Sequence, residues 1–234
     1  MSERYQSLAT RIAERFGKTL LLVPSRCREL TYEVPKTELL AVARALRDEE
    51  AFRFEMLIDL CGVDYLLYGQ DEWATKEATE SGFSRAAVRE TIVTPPGESF
   101  DPRRFAVVYH LLSVSGNYRM RLRAFTGPEN PPTVPSVIDI WRSADWFERE
   151  AFDLYGFLFT GHPDLRRLLT DYGFIGSPFR KDFPISGNVE VRYDADKGRV
   201  VYQPVSIEPR VLVPKIIRDD NRYQAELKDR PTHG

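Results

Sequence analysis

The stretch WFEREAFDLYGFLFTGHPDLRRLL, residues 146–169, gathers side chains that could do chemistry. Glu148, Glu150 and Asp153 lie within six residues, and His162 follows nine further on. Carboxylates in such a group can act as general acid and base, and with histidine they can ligate a metal ion. The surrounding sequence argues against both. Di-metal helical bundles use Glu-x-x-His pairs on facing helices, and this chain has none. It also lacks a nucleophile elbow, a P-loop, a dinucleotide glycine fingerprint and an HExxH pair.

A helix accounts for the charges without chemistry. Asp145 is a candidate N-cap with Glu148 as its capping-box partner, and Gly156 suits the residue after the C-cap. Phe147, Ala151, Leu154, Tyr155 and Leu158 form the stripe expected to be buried. Asp145, Arg149 and Asp153 follow at i, i+4 and i+8 as a ladder of alternating charge. Glu148 and Glu150 in the first turn favour the helix dipole.

The elements that must position this helix precede it. Tyr5, Leu8, Ile12 and Phe16 predict an amphipathic helix, with Ser2 available as N-cap. TLLLV and ELTYEV read as strands, and KTELLAVARALRDEE as a second helix burying Leu39, Leu40, Ala43 and Leu46. FRFEMLIDLCGVDY is an apolar strand ending near Gly62. Residues 69–99 are polar and aperiodic, and read as a long loop or insertion. FAVVYHLLSV and NYRMRLRAF flank SGN, a hairpin signal. In the second of these strands Tyr118, Met120, Leu122 and Ala124 alternate with Arg119, Arg121 and Arg123, so one face is apolar and the other cationic. Without an aromatic stacking platform, that face suits solvent or a protein partner better than nucleic acid.

Residues 126–136, with four prolines in eleven positions, form a semi-rigid connector. The order helix, strand, strand, helix, three strands predicts an α+β domain over residues 1–157, with a mixed or antiparallel sheet and helices on one face. Residues 158–234 read as an extended Pro- and Arg-rich arm with one β-hairpin, VEVRYDADKGRVVYQPV, turning near Lys197–Gly198. The arm's apolar residues are too scattered to offset the entropy of ordering, about 1–2 kcal/mol per residue. Within it, Asp164 is expected to cap a short helical turn carrying Arg166 and Arg167. The segment from Gly161 to Pro184 is rich in Arg, Phe and Tyr, the composition of an interface.

Composition excludes several functions. A net charge of −2 over 234 residues gives no global basic field for nucleic acid or anionic membrane. Two cysteines, Cys27 and Cys61, are fewer than the about four thiolates of an iron–sulfur cluster. The histidines, His110, His162 and His233, are far apart in sequence, which weakens a structural zinc reading. The longest apolar runs are about half a bilayer span, and no signal-peptide pattern opens the chain. The reading is a soluble intracellular protein that meets a membrane only through partners.

The residues also match a long gapped signature: Glu-Arg-Glu, an acid after two residues, two apolar positions, then a spaced His, basic and apolar run. Glu148, Arg149, Glu150, Asp153, Leu154, Tyr155, His162, Arg166, Leu168 and Leu169 satisfy it. The match extends through Arg167, LTDYGF, and Arg180, Lys181, Asp182, Phe183 and Pro184; LCGVDY and VVYHLLS add to it. In these residues the chain resembles the C-designated member of NADH-quinone oxidoreductase, bacterial respiratory complex I, the family of the mitochondrial iron–sulfur protein fraction subunit 3. It departs at Ser177, where many relatives carry histidine.

The resemblance implies a non-redox scaffold in the peripheral arm, on the cytoplasmic side of the inner membrane, clamping the D-designated neighbour that forms the quinone site. FMN and Fe–S clusters are then expected in partner subunits, with no cofactor, metal or catalytic residue in this chain, and ubiquinone as acceptor. The alternatives are the equivalent component of a complex-I-like hydrogenase or a ferredoxin- or F420-fed complex, and a free-standing hydrolase using Glu148, Glu150 or Asp153.

Overall fold

The computed structural model describes residues 3–25, 29–66, 68 and 99–207. Ser2, most of the 69–99 stretch and the last residues of the arm lie outside these. Helix α1 (Glu3–Phe16) buries Leu8 and Ile12, with Tyr5 and Phe16 packed at the margin of the same core. Strands β1 (Leu21–Val23) and β2 (Thr31–Glu33) precede helix α2 (Leu39–Asp48). α2 buries Leu39, Val42, Ala43 and Leu46. Leu40, expected inside, is exposed; Val42 takes its place, because the inward stripe follows i, i+3, i+4, i+7 from Leu39.

Strands β3 (Met56–Asp64), β4 (Phe105–Ser113) and β5 (Tyr118–Phe125) complete a five-stranded sheet of order β1-β2-β5-β4-β3. β3–β4, β4–β5 and β1–β2 pair antiparallel, while β2 runs parallel to β5. The sheet is therefore mixed. β3 runs past Gly62 to Asp64, two residues beyond the end expected from sequence. The hairpin turn between β4 and β5 places Asn117 at φ 52°. On β5 the alternation holds: Met120, Leu122 and Ala124 are buried. The cations on its other face pair laterally, Arg121 with Glu29 and Arg123 with Glu33.

The proline-rich connector contributes strand β6 (Thr133–Pro135), which pairs in parallel with β7 (Leu158–Thr160). Between them lies helix α3 (Ala144–Tyr155), packed along the edge strand β3. Trp141, just before α3, is buried and its indole donates to the Phe54 carbonyl at 3.0 Å. Gly62 explains how the helix end comes so close: a Cβ there would stand 2.5 Å from the Phe157 ring and 2.8 Å from Tyr155. Past β7 the chain runs without helix or strand to the hairpin β8 (Val189–Asp194) and β9 (Arg199–Pro204).

Candidate anchoring site

α3 starts differently from the sequence expectation. The residue before it, Ser143, is in the helical region and makes no side-chain cap bond, and Asp145 sits inside the first turn. Glu148 is not a capping-box partner but points inward, fully buried. Its carboxylate accepts the Ser136 hydroxyl at 2.6 Å and the Val137 N–H at 2.8 Å, tying α3 to the end of β6. Burial pushes its pKa up to about 7, with Asp145 adding to the rise and the two hydrogen bonds opposing it. Gly156 ends the helix as expected, in the left-handed region at φ 78°.

Arg149 and Asp153 are buried as well, so the surface charge ladder does not exist. Each reaches into the segment after β7. Arg149 donates to the Arg166 carbonyl at 3.3 Å. Asp153 accepts three successive backbone N–H groups, from Leu168 (3.0 Å), Leu169 (2.7 Å) and Thr170 (2.8 Å). It also accepts from the Thr170 hydroxyl and from Arg167 at 2.9 Å. Burial alone would raise its pKa; the Thr170 hydroxyl and the three amides outweigh that and bring it down to about 2. A carboxylate saturated by donors is a structural acceptor and a poor base.

His162 is buried against the same helix. Its Nδ1 accepts the Asp164 N–H at 3.1 Å, which leaves the proton on Nε2, 3.3 Å from the Asp145 carboxylate and 4.0 Å from Glu148. Residues 164–170 run from a turn through irregular chain to bends, with no helical turn. Asp164 instead pairs at the surface with Arg166. The donors that a helix would have taken inward go to Asp153.

A second anchor lies about Asp64, at the end of β3. Arg104 meets it through two nitrogens at 3.1 Å each, both side chains being buried. The Lys181 N–H donates to Asp64 at 2.8 Å. Asp182 accepts from Arg104 at 2.8 Å and from Arg180 at 3.0 and 2.8 Å. Burial works against ionising Asp182, but Arg180 and Arg104 hold its pKa below the ordinary carboxylate value. Both guanidiniums lie over Phe100 and Phe105. The Lys181 side chain and Pro184 remain exposed.

The signature residues therefore divide. Arg149, Asp153, Arg167, Arg180 and Asp182, with the Leu168 and Leu169 amides, join the chain after β7 to the domain, while Glu148 ties α3 to the end of β6. Leu154 is buried, and Tyr155 packs edge-on to Phe179 at 5.8 Å. Leu158, expected in the buried stripe, is partly exposed in β7; Phe157 and Phe159 are the buried ones. Glu150 is half-buried, and Arg166 and Leu169 face outward. Sequence reasoning missed Asp64, Arg104 and Ser136 as members. An Asp closing an apolar strand and an Arg opening the next one were the available signals.

The site is thus a mixed sheet braced by a charged helix, whose Asp153 carboxylate holds down a long extended segment. Residues 32–189 match the family described as the respiratory-chain NADH dehydrogenase 30 Kd subunit. The chain belongs to that family. It is 54% identical to the C-designated member of NADH-quinone oxidoreductase from Coxiella burnetii (strain Dugway 5J108-111), over 98% of this chain and 99% of the relative. It is 59% identical to the equivalent protein of Legionella pneumophila (strain Corby), over 83% of this chain and 84% of that one. Among solved structures, the archaeal membrane-bound sulfane sulfur reductase shares the fold, with TM-score 0.54 and 20% identity over 78% of this chain and 87% of the other.

Proposed function

We propose that the chain is the non-redox scaffold in the peripheral arm of a proton-translocating NADH:quinone oxidoreductase, where residues 158 onward clamp the D-designated neighbour that forms the quinone site. The observation that carries this is an outward-facing apolar set on the anchored segment. Leu169, Tyr172, Ile175, Phe179 and Ile185 are 62, 98, 76, 54 and 104% exposed, while Thr170, Arg180 and Asp182 between them are tied down. An ordered backbone presenting that much unpaired apolar surface is suited to a protein partner. FMN and Fe–S clusters belong to neighbouring subunits in this reading, with ubiquinone as acceptor at the inner membrane. No described helix is long and apolar enough to cross a membrane.

The chemistry of the charged helix supports the same reading. Glu148 is the group best tuned for proton transfer, yet it is sealed from solvent. Recovery of the native assembly through a tag on this chain tests the proposal. The expected result is co-purified flavin and cluster-bearing subunits with NADH:quinone reductase activity. Recovery of a lone chain with hydrolytic turnover would favour the free-standing enzyme instead. Arg149→Ala is expected to lower the yield of assembled complex while leaving the turnover of each assembled complex unchanged.

A further inference from the structure

The carboxylates of Glu148, Asp153 and Asp64 have their oxygens filled by donors. One group on the sheet does not. Asp59 and Cys61 on β3 and His110 on β4 stand on one face, Asp59 directly opposite His110 in the ladder and Cys61 two residues along. All three are half-buried, and a carboxylate oxygen, the Sγ and an imidazole nitrogen lie within 4.8 Å of one another. None has a hydrogen-bond or ion-pair partner among the described residues. Side by side, a carboxylate, a thiol and an imidazole are the side-chain types that together ligate a transition-metal ion.

We propose that Asp59, Cys61 and His110 form a zinc(II) site with an open fourth position. The donor set selects the ion. Thiolate and imidazole favour a borderline-soft cation over magnesium or calcium, which take oxygen ligands. Tetrahedral zinc at about 2.0–2.3 Å from each ligand needs ligand atoms about 3.3–3.8 Å apart, so rotamer adjustments of about 1 Å close the site. The antiparallel register accomplishes what the sequence hides, bringing His110 against residues forty-nine to fifty-one positions earlier.

The local charges fit. Arg121 lies opposite His110 on β5 and is the nearby cation, but its guanidinium is engaged by Glu29. Glu150 on α3 adds negative charge near Cys61. A cavity of about 220 Å³ borders His110, together with Glu29 and Ile58, while Asp59 and Cys61 do not line it.

The full chain, stripped with chelator, tests this by zinc titration against a chromophoric competitor and by cobalt(II) substitution. The expected result is one ion per chain, with tetrahedral cobalt bands and a thiolate charge-transfer band. Cys61→Ser and His110→Ala should each weaken zinc by more than about 100-fold, beyond the loss that follows removal of a supporting residue. Cys27→Ser should bind as the parent does. Asp59→Asn, nearly isosteric, serves as the ligand variant should another lower the melting temperature. Absence of stoichiometric binding, six-coordinate cobalt spectra, or zinc affinity unchanged in these ligand variants would overturn the assignment.

Discussion

The sheet domain and the segment that follows β7 are ordered by different forces. In the domain, Leu8, Ile12, Leu39, Leu46, Phe54, Phe105 and Leu111 are sealed in one apolar core. In the segment from His162 to Ile207 the large apolar side chains are mostly outside: Tyr172 and Ile185 are essentially fully exposed, and most of those on β8 and β9 are half exposed or more. What fixes its first part is polar, Asp153 taking three amides and Asp64–Arg104 taking Lys181 and Asp182. Apolar burial is non-directional and keeps its side chains for itself. Carboxylate anchors hold a backbone and leave the side chains free to face another molecule.

The largest expected effect falls on the buried ion network. Arg104→Ala leaves Asp64 and Asp182 without their shared cation and should cost about 3–5 kcal/mol of unfolding free energy, read by urea denaturation. Limited proteolysis of that variant should cut between residues 161 and 184, where the parent chain is expected to resist. Asp153→Ala, which strands three amides and Arg167, should cost about 3 kcal/mol and expose the same stretch. If either variant melted and resisted protease as the parent does, the contrast between the two regions would fail.

The two α3 carboxylates should respond to pH in opposite ways. The folded pKa of Glu148, about 7, lies above its ordinary 4.5, so the native state binds the extra proton between those values. Stability should fall as pH rises through that window, by on the order of 3 kcal/mol, and level off above it. Glu148→Gln should flatten that slope. Asp153 is held at about 2 against an ordinary 3.8, so its contribution is complete above about pH 4 and is lost as pH falls toward 2. Chemical denaturation across pH 2–8 separates the two windows. The smallest effect on the isolated chain belongs to the outward side chains: Tyr172→Ser and Ile185→Ser should change its stability by less than about 0.5 kcal/mol. The same pair should sharply reduce recovery of partner subunits.

Local patterns made much of the domain legible. The α1 stripe, the β4–β5 hairpin, the alternation along β5 and the β8–β9 hairpin all depend on contacts between near neighbours in sequence. The α3 charges did not read correctly, because i, i+4 spacing fits a solvated ladder and a set of buried anchors equally. What decides is the position of Ser136, Leu168 and Thr170, which only the tertiary fold supplies. The signature names residues of α3 and the following segment without revealing what they hold. The gathering of Asp59, Cys61 and His110 was hidden for the same reason: register across a ladder is not written in separation along the chain.

β3 leaves the sheet at Asp64 and β4 re-enters directly opposite at Phe105, with the Tyr65 N–H bound to the Arg104 carbonyl at 2.7 Å. The forty residues between them therefore begin and end at a neck, and doubling such a length adds only about 0.6 kcal/mol of closure entropy. The domain can accept a longer or shorter excursion there at little thermodynamic penalty. The cation that cinches this neck, Arg104, also grips Asp182. Releasing the downstream segment thus loosens the root of the excursion, so that Asp64 and Asp182, over a hundred positions apart in the chain, share one latch.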